Sequence, residues 1–190
     1  MSMNIAILGG RFDPPHLGHL WVARQVLERG PEISEVWFMP TYIHPWKVSE
    51  ADSRDRLFML KSFEDVKIKV SSLEVEKGGT SYTVETVDLL KQGNPNDKFY
   101  WIVGSDAISD FSKWRSAQKL ALKIPFLVFP RSGYPVKLLP VGMKLINGDN
   151  LIQTNLSSSF IRERIKMNLS INGFVSSEVE EFIKRKNLYK

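Results

Sequence analysis

The segment Gly9-Gly10-Arg11-Phe12-Asp13-Pro14-Pro15-His16-Leu17-Gly18-His19 carries residue types and a spacing suited to holding a phosphate chain. The Gly pair permits a tight turn and lets backbone N–H groups approach a ligand. Pro14 and Pro15 stiffen the exit and suit the first positions of a helix. With a helix starting near Pro15, His16 and His19 lie three residues apart on one face of its first turn. There, unpaired N–H groups and the helix dipole favour an anion. Gly18 between them leaves room for a ligand. A Gly pair alone is also an ordinary turn, and the two same-face histidines are what turn this segment into a candidate site.

Four further segments carry candidate groups. Thr154-Asn155-Leu156-Ser157-Ser158-Ser159-Phe160-Ile161-Arg162 places hydroxyls at a helix start, with Ser158 and Arg162 four apart on one face. It reads as a second anion site, or as a serine N-cap beside a solvated arginine. Gly104-Ser105-Asp106 closes an apolar run, and its carboxylate either accepts hydrogen bonds from ribose hydroxyls or a ring amide, or caps a helix. Lys47, in Pro40-Thr41-Tyr42-Ile43-His44-Pro45-Trp46-Lys47, can reach a triphosphate as a mobile point charge, or stay solvated. Thr80-Ser81-Tyr82-Thr83-Val84 reads chiefly as a helix N-cap, with Glu85 in the first turn.

Short apolar runs alternate with helical patterns and must position these groups. Strands are predicted at 4–8, 35–39, 66–71, 99–103 and 125–129, and helices at 17–28, 53–62, 82–92 and 116–122. Strands that are apolar on both faces and alternate with helices imply an α/β fold: a Rossmann-like, doubly wound parallel sheet. Gly9, Pro40, Gly104 and Pro130 each follow a strand end, so their loops converge on one crevice. Two C-terminal helices follow Asn155, the second at 176–186 with Ser176 as N-cap. Residues 133–150 read as loops around short strands.

The chain has 190 residues, 43% of them hydrophobic, enough for one globular unit spanning 1–190. A formal net charge of +5 suits anionic partners without choosing between nucleotides and nucleic acid. The absence of cysteine excludes disulfides, thiolate nucleophiles and thiolate metal sites, and is compatible with the cytosol. No secretion signal or membrane-length apolar stretch is found, so a cytoplasmic protein with no membrane partner is expected.

The first segment resembles the GGxFDPxHxGH signature of bacterial nicotinate mononucleotide adenylyltransferases, in the nucleotidyltransferase superfamily marked by [HT]xGH. Phosphopantetheine adenylyltransferases usually carry Thr at the position of His16, and class I aminoacyl-tRNA synthetases need a longer chain. The segment ending at Arg162 is similar to the family's ISSTxIR element, with Leu156 for Ile and Ser159 for Thr. Lys47 aligns with the family's Pro-Pro-His-[Lys or Arg] pattern, while Trp46 replaces its histidine and His44 a proline.

The resemblance implies adenylyl transfer from ATP to nicotinate mononucleotide, giving deamido-NAD and pyrophosphate. His16, His19, Lys47 and Arg162 would act on the phosphates. Gly9, Gly10, Phe12, Gly18, Gly104, Asp106, Arg131, Ser158 and Ser159 would bind ATP. Asp13, His44, Trp46, Tyr82, Thr83 and Trp114 would bind the mononucleotide, Trp114 by stacking on the pyridine ring. The superfamily likeness implies Mg2+ arriving with ATP; no carboxylate cluster suits a dedicated metal cage. Nicotinamide mononucleotide or another small phosphate is the alternative acceptor, since Trp46 departs from the pattern. A non-catalytic nucleotide- or RNA-binding module is the alternative of another class, though no aromatic RNA-binding signature accompanies the basic residues. Homo-oligomers are left open.

Overall fold

The structure is a computed structural model describing residues 2–190. Six strands form one parallel sheet: β1 (Asn4–Gly10), β2 (Glu35–Pro40), β3 (Ile68–Val70), β4 (Lys98–Gly104), β5 (Phe126–Phe129) and β6 (Met143–Leu145). Their order is β3-β2-β1-β4-β5-β6. The chain leaves β1 in one direction to build β2 and β3, then returns to place β4 on its other side. The crevice between the carboxyl ends of β1 and β4 is therefore the switch point at which doubly wound sheets bind ligands.

Alternation along β1 divides the core. Ile5 and Ile7 face one layer, with Val87 and Leu90 of α4 (Thr83–Gly93) and Leu120 of α5 (Ala117–Lys123). Ala6 faces the other, with Ala23 and Val26 of α1 (Leu17–Arg29) and Leu60 of α2 (Ser53–Leu60). Burial on both faces is what the unbroken apolar runs of the strands require. A third cluster joins Met59 of α2 to Ile161 of α6 (Ser158–Lys166) and to Val179, Phe182 and Ile183 of α7 (Ser177–Lys186). The C-terminal helices thus cover the end of the sheet nearest the crevice loops.

The expected α/β architecture is observed, and the differences are local. The helix after Pro15 begins at Leu17, because His16 takes an extended backbone at the N-cap. A short helix, α3 (Leu73–Lys77), and a 3-10 segment, Ser105–Lys113, occupy stretches for which no element was predicted. Ser81 does not cap α4: Tyr82 holds that position without a side-chain bond, and the Ser81 hydroxyl accepts instead from the Tyr42 N–H at 3.0 Å.

Candidate active site

β1 ends at Gly10, and the turn that follows feeds directly into the start of α1. Gly9 is required by packing: a Cβ there would lie 2.5 Å from the Trp101 ring of β4. Gly18 gives the histidines room, since a Cβ there would sit 3.0 Å from His16 Nδ1 and 3.3 Å from the Thr154 methyl. The His16 and His19 rings stack with centroids 3.6 Å apart. The His16 N–H donates to His19 Nδ1 at 3.2 Å. A neutral His19 that accepts at Nδ1 carries its proton on Nε2.

Both rings are neutral in the absence of an anion. Burial pushes His16 well below its ordinary value, and the neighbouring His19 and Arg131 add to the shift. Burial, followed by the Arg131 cation, lowers His19 to about 3. His44 is lowered to about 4, by burial and then by Lys47. Neutral imidazoles can donate a hydrogen bond but carry no charge, and the fixed positive charge beside them is that of Arg131 and Arg162. His16 Nδ1 is buried with no partner among the described residues.

These shifts tie stability to pH. The unfolded chain takes up protons at its histidines near pH 6.5 while the folded protein does not, so folding weakens as pH drops below that value. Stability is kept above pH 7 and lost progressively towards the folded value. His19 alone accounts for about 2 kcal/mol between pH 7 and pH 5. Glu74, which burial pushes upward, works in the opposite sense, so the informative comparison is between variants. We expect Tm to fall by about 4 to 8 °C more in the unaltered protein than in His19→Asn over that interval, read by thermal unfolding.

The start of α6 closes on the same turn. Ser158 Oγ donates to the Pro14 carbonyl at 2.8 Å, and Arg162 Nη1 donates to the Asp13 carbonyl at 2.8 Å. Arg162 Nε contacts Glu50 at 2.8 Å, and its Nη2 reaches Ser159 Oγ at 3.4 Å. His16, His19, Ser158, Ser159 and Arg162 are thus gathered at two adjacent helix starts. Arg131 pairs with Asp106 at 3.3 Å beyond β4 and β5, and lowers the affinity of both histidines for protons. Gly104 admits this pair: a Cβ there would be 2.9 Å from Arg131 Cδ.

A cleft beside these groups is lined by Gly9, Gly10, His44, Trp46, Tyr82, Thr83 and Trp114, together with Thr41, Pro45, Glu74, Ser81, Trp101 and Arg115. It brings together all but one of the residues predicted to bind the mononucleotide. Lys47 is exposed, in a neighbouring groove shared with Trp46 and Arg56.

Two expectations are corrected. Asp13 is 1% exposed. Its carboxylate accepts from the Glu50 and Ala51 N–H groups and from the Tyr189 hydroxyl at 2.9 Å, so it holds the loop after β1 and does not face the cleft. The Phe12 side chain is likewise buried in the core, edge-on to His19 at 4.8 Å, and offers no surface to ATP. Gly9 and Gly10 line the aromatic cleft.

Two buried residues beside the site, Arg56 and Glu74, carry little signal in the sequence. Arg56, 1% exposed, donates to the carbonyls of Ala51, Arg11, Thr41 and Tyr42. It locks the loop after β1 to the loop after β2. Its only signal was a charge on the inward face of α2, spaced with Ser53 and Leu60. Glu74 lines the cleft and accepts from Thr86 Oγ1; its only sequence signal is an acid between apolar neighbours.

A family model described as cytidylyltransferase-like matches residues 7–164. The chain is 37% identical over 191 residues to nicotinate-nucleotide adenylyltransferase of Bacillus subtilis (strain 168), covering 98% of each. It is 35% identical over 190 residues to a Shouchella clausii protein named probable nicotinate-nucleotide adenylyltransferase, covering 98% of this chain and 96% of that one. The structure of Plasmodium falciparum nicotinic acid mononucleotide adenylyltransferase complexed with NaAD superposes with a TM-score of 0.83. That match has 26% identity and covers 99% of this chain and 98% of the other. A sheet with its switch point at β1 and β4, two helix starts built around His16, His19 and Arg162, and near-full-length identity converge: the chain belongs to the nicotinate-nucleotide adenylyltransferase family.

Proposed function

We propose that this chain transfers the adenylyl group of ATP to nicotinate mononucleotide, forming deamido-NAD and pyrophosphate in NAD biosynthesis. The observation that carries the reading is the abutment, at one switch point, of an anion site at two helix starts and a cleft walled by Trp46 and Trp114. Such a pairing accommodates a triphosphate beside a planar ring. The relatives' names support the choice of substrates.

An oxygen of the mononucleotide 5′-phosphate attacks the α-phosphorus of ATP. That bond forms as the α–β bridging bond breaks, and the electron pair leaves with pyrophosphate. No protein nucleophile is needed, so catalysis consists of positioning and of stabilising moving charge. His16 and His19 donate hydrogen bonds to the phosphates. Arg162 and Lys47 draw charge towards the leaving group, with Ser158, Ser159 and the N–H groups of two helix starts around it. Asp106 and Arg131 hold the adenosine side, and Gly18 and Gly104 leave it space. Trp114 stacks on the pyridine ring, with Tyr82, Thr83, His44 and Trp46 completing the wall.

Mg2+ arriving with ATP would supply positive charge that offsets the charge of the phosphates. Among the described residues no group of three or more His, Asp or Glu side chains could hold a metal ion. Residues 1–190 act as a single nucleotidyltransferase domain. No helix among the described residues is long and apolar enough to cross a membrane, and the reaction is assigned to the cytoplasm. Pyrophosphate release that requires ATP, Mg2+ and nicotinate mononucleotide together is the expected result. Release with nicotinamide mononucleotide alone, or with neither, overturns the acceptor.

A further inference from the structure

We propose that Arg115 selects the acceptor, its guanidinium meeting the carboxylate that distinguishes a nicotinate ring from a nicotinamide ring. The inference rests on the adenylyl-transfer reading above and names the residue that sets its substrate preference. Arg115 follows Trp114 in the chain and lines the same cleft, beside Tyr82 and Thr83. It is the one residue lining that cleft with a fixed positive charge. His44 is neutral, and Trp46, 57% exposed at the rim, supplies only an indole N–H. The other ionisable group in the wall, Glu74, is 4% exposed, pushed towards its protonated form by burial and engaged by Thr86. An anionic substituent entering the cleft therefore meets one cation and no exposed acid of the lining.

The guanidinium is set for this. Its Cζ lies over the Tyr82 ring, 4.5 Å from the centroid, which holds the guanidinium against the cleft wall. Only Nη1 is engaged among the described residues, with Glu85 at 2.7 Å, and the side chain stays 56% exposed. The Nε–Nη2 edge is left for a carboxylate, a geometry in which arginine binds two oxygens at once. Glu85 also pairs with Lys77 at 2.8 Å, so Arg115 can turn to a ligand without stranding that acid. A carboxamide brings no net charge and gains little from the same contact.

The test is kcat/KM for nicotinate and nicotinamide mononucleotides with the unaltered protein, Arg115→Gln, Arg115→Lys and Glu85→Gln. Arg115→Gln should lose about tenfold with nicotinate mononucleotide, mainly through KM, and stay within about twofold with nicotinamide mononucleotide. Arg115→Lys should recover part of the loss. Glu85→Gln, which removes the pair but keeps the guanidinium, should leave nicotinate turnover intact. An equal loss with both acceptors, no loss with either, or an initial preference for nicotinamide mononucleotide overturns the proposal. Absence of turnover with both in the unaltered protein overturns the adenylyl-transfer reading itself, and the proposal with it.

Discussion

Replacing His19 by alanine should lower kcat/KM about a thousandfold, with most of the loss in kcat. The ring is neutral before substrate binds and carries its proton on Nε2, because Nδ1 accepts from the His16 N–H. It is held between the His16 ring at 3.6 Å and the Phe12 edge at 4.8 Å, so little reorganisation is needed when charge develops. A donor fixed in a half-buried site is worth far more than the same donor in water, and losing one such group typically costs about 10²–10³ in rate. The alanine also frees the His16 N–H, which adds to the loss. His19→Asn, which restores a donor of similar reach, should recover part of the rate. Tm at pH 7 should move little, since the ring sits at a helix start and not deep in the core. Steady-state kinetics beside thermal unfolding would check this; a collapse of Tm matching the loss of activity would assign His19 to folding instead.

Arg162→Ala should lower kcat by about a hundredfold and raise the KM for ATP. The guanidinium bonds at once to the Asp13 carbonyl, Glu50 and Ser159, which ties the start of α6 to the turn after β1. It therefore supplies charge and also sets the distance between the two helix starts. Arg162→Lys should recover little, because an ammonium cannot make the forked contacts. Glu50 is not stranded by either change, since Lys166 lies 3.3 Å from its other oxygen. If kcat stayed within a few fold and only Tm fell, Arg162 would be a brace and not part of the phosphate site.

The sheet was readable because its strands are buried on both faces. Runs such as Ile5-Ala6-Ile7-Leu8 and Phe126-Leu127-Val128-Phe129 have no reason to exist on a solvated surface. The convergence of the strand-end loops on one crevice followed from the same alternation of strands and helices, and the histidine pair from its spacing at a helix start. Side-chain direction was not readable. Asp13 lies in the middle of the signature, yet its partner is Tyr189, 176 residues away, and nothing local announces that bond. Arg56 and Glu74 were missed for the same reason: buried polar groups are specified by carbonyls and hydroxyls brought in from other loops. Arg115 differs, because its position after Trp114 was visible while the cleft it lines was not.

The most direct measurement follows the α-phosphate. The protein is incubated with Mg2+, nicotinate mononucleotide and ATP labelled at the α-phosphorus, and the products are separated. In-line adenylyl transfer places the label in the dinucleotide deamido-NAD, one equivalent for each unlabelled pyrophosphate released. Label in AMP without a dinucleotide, or no movement of label at all, would contradict the account.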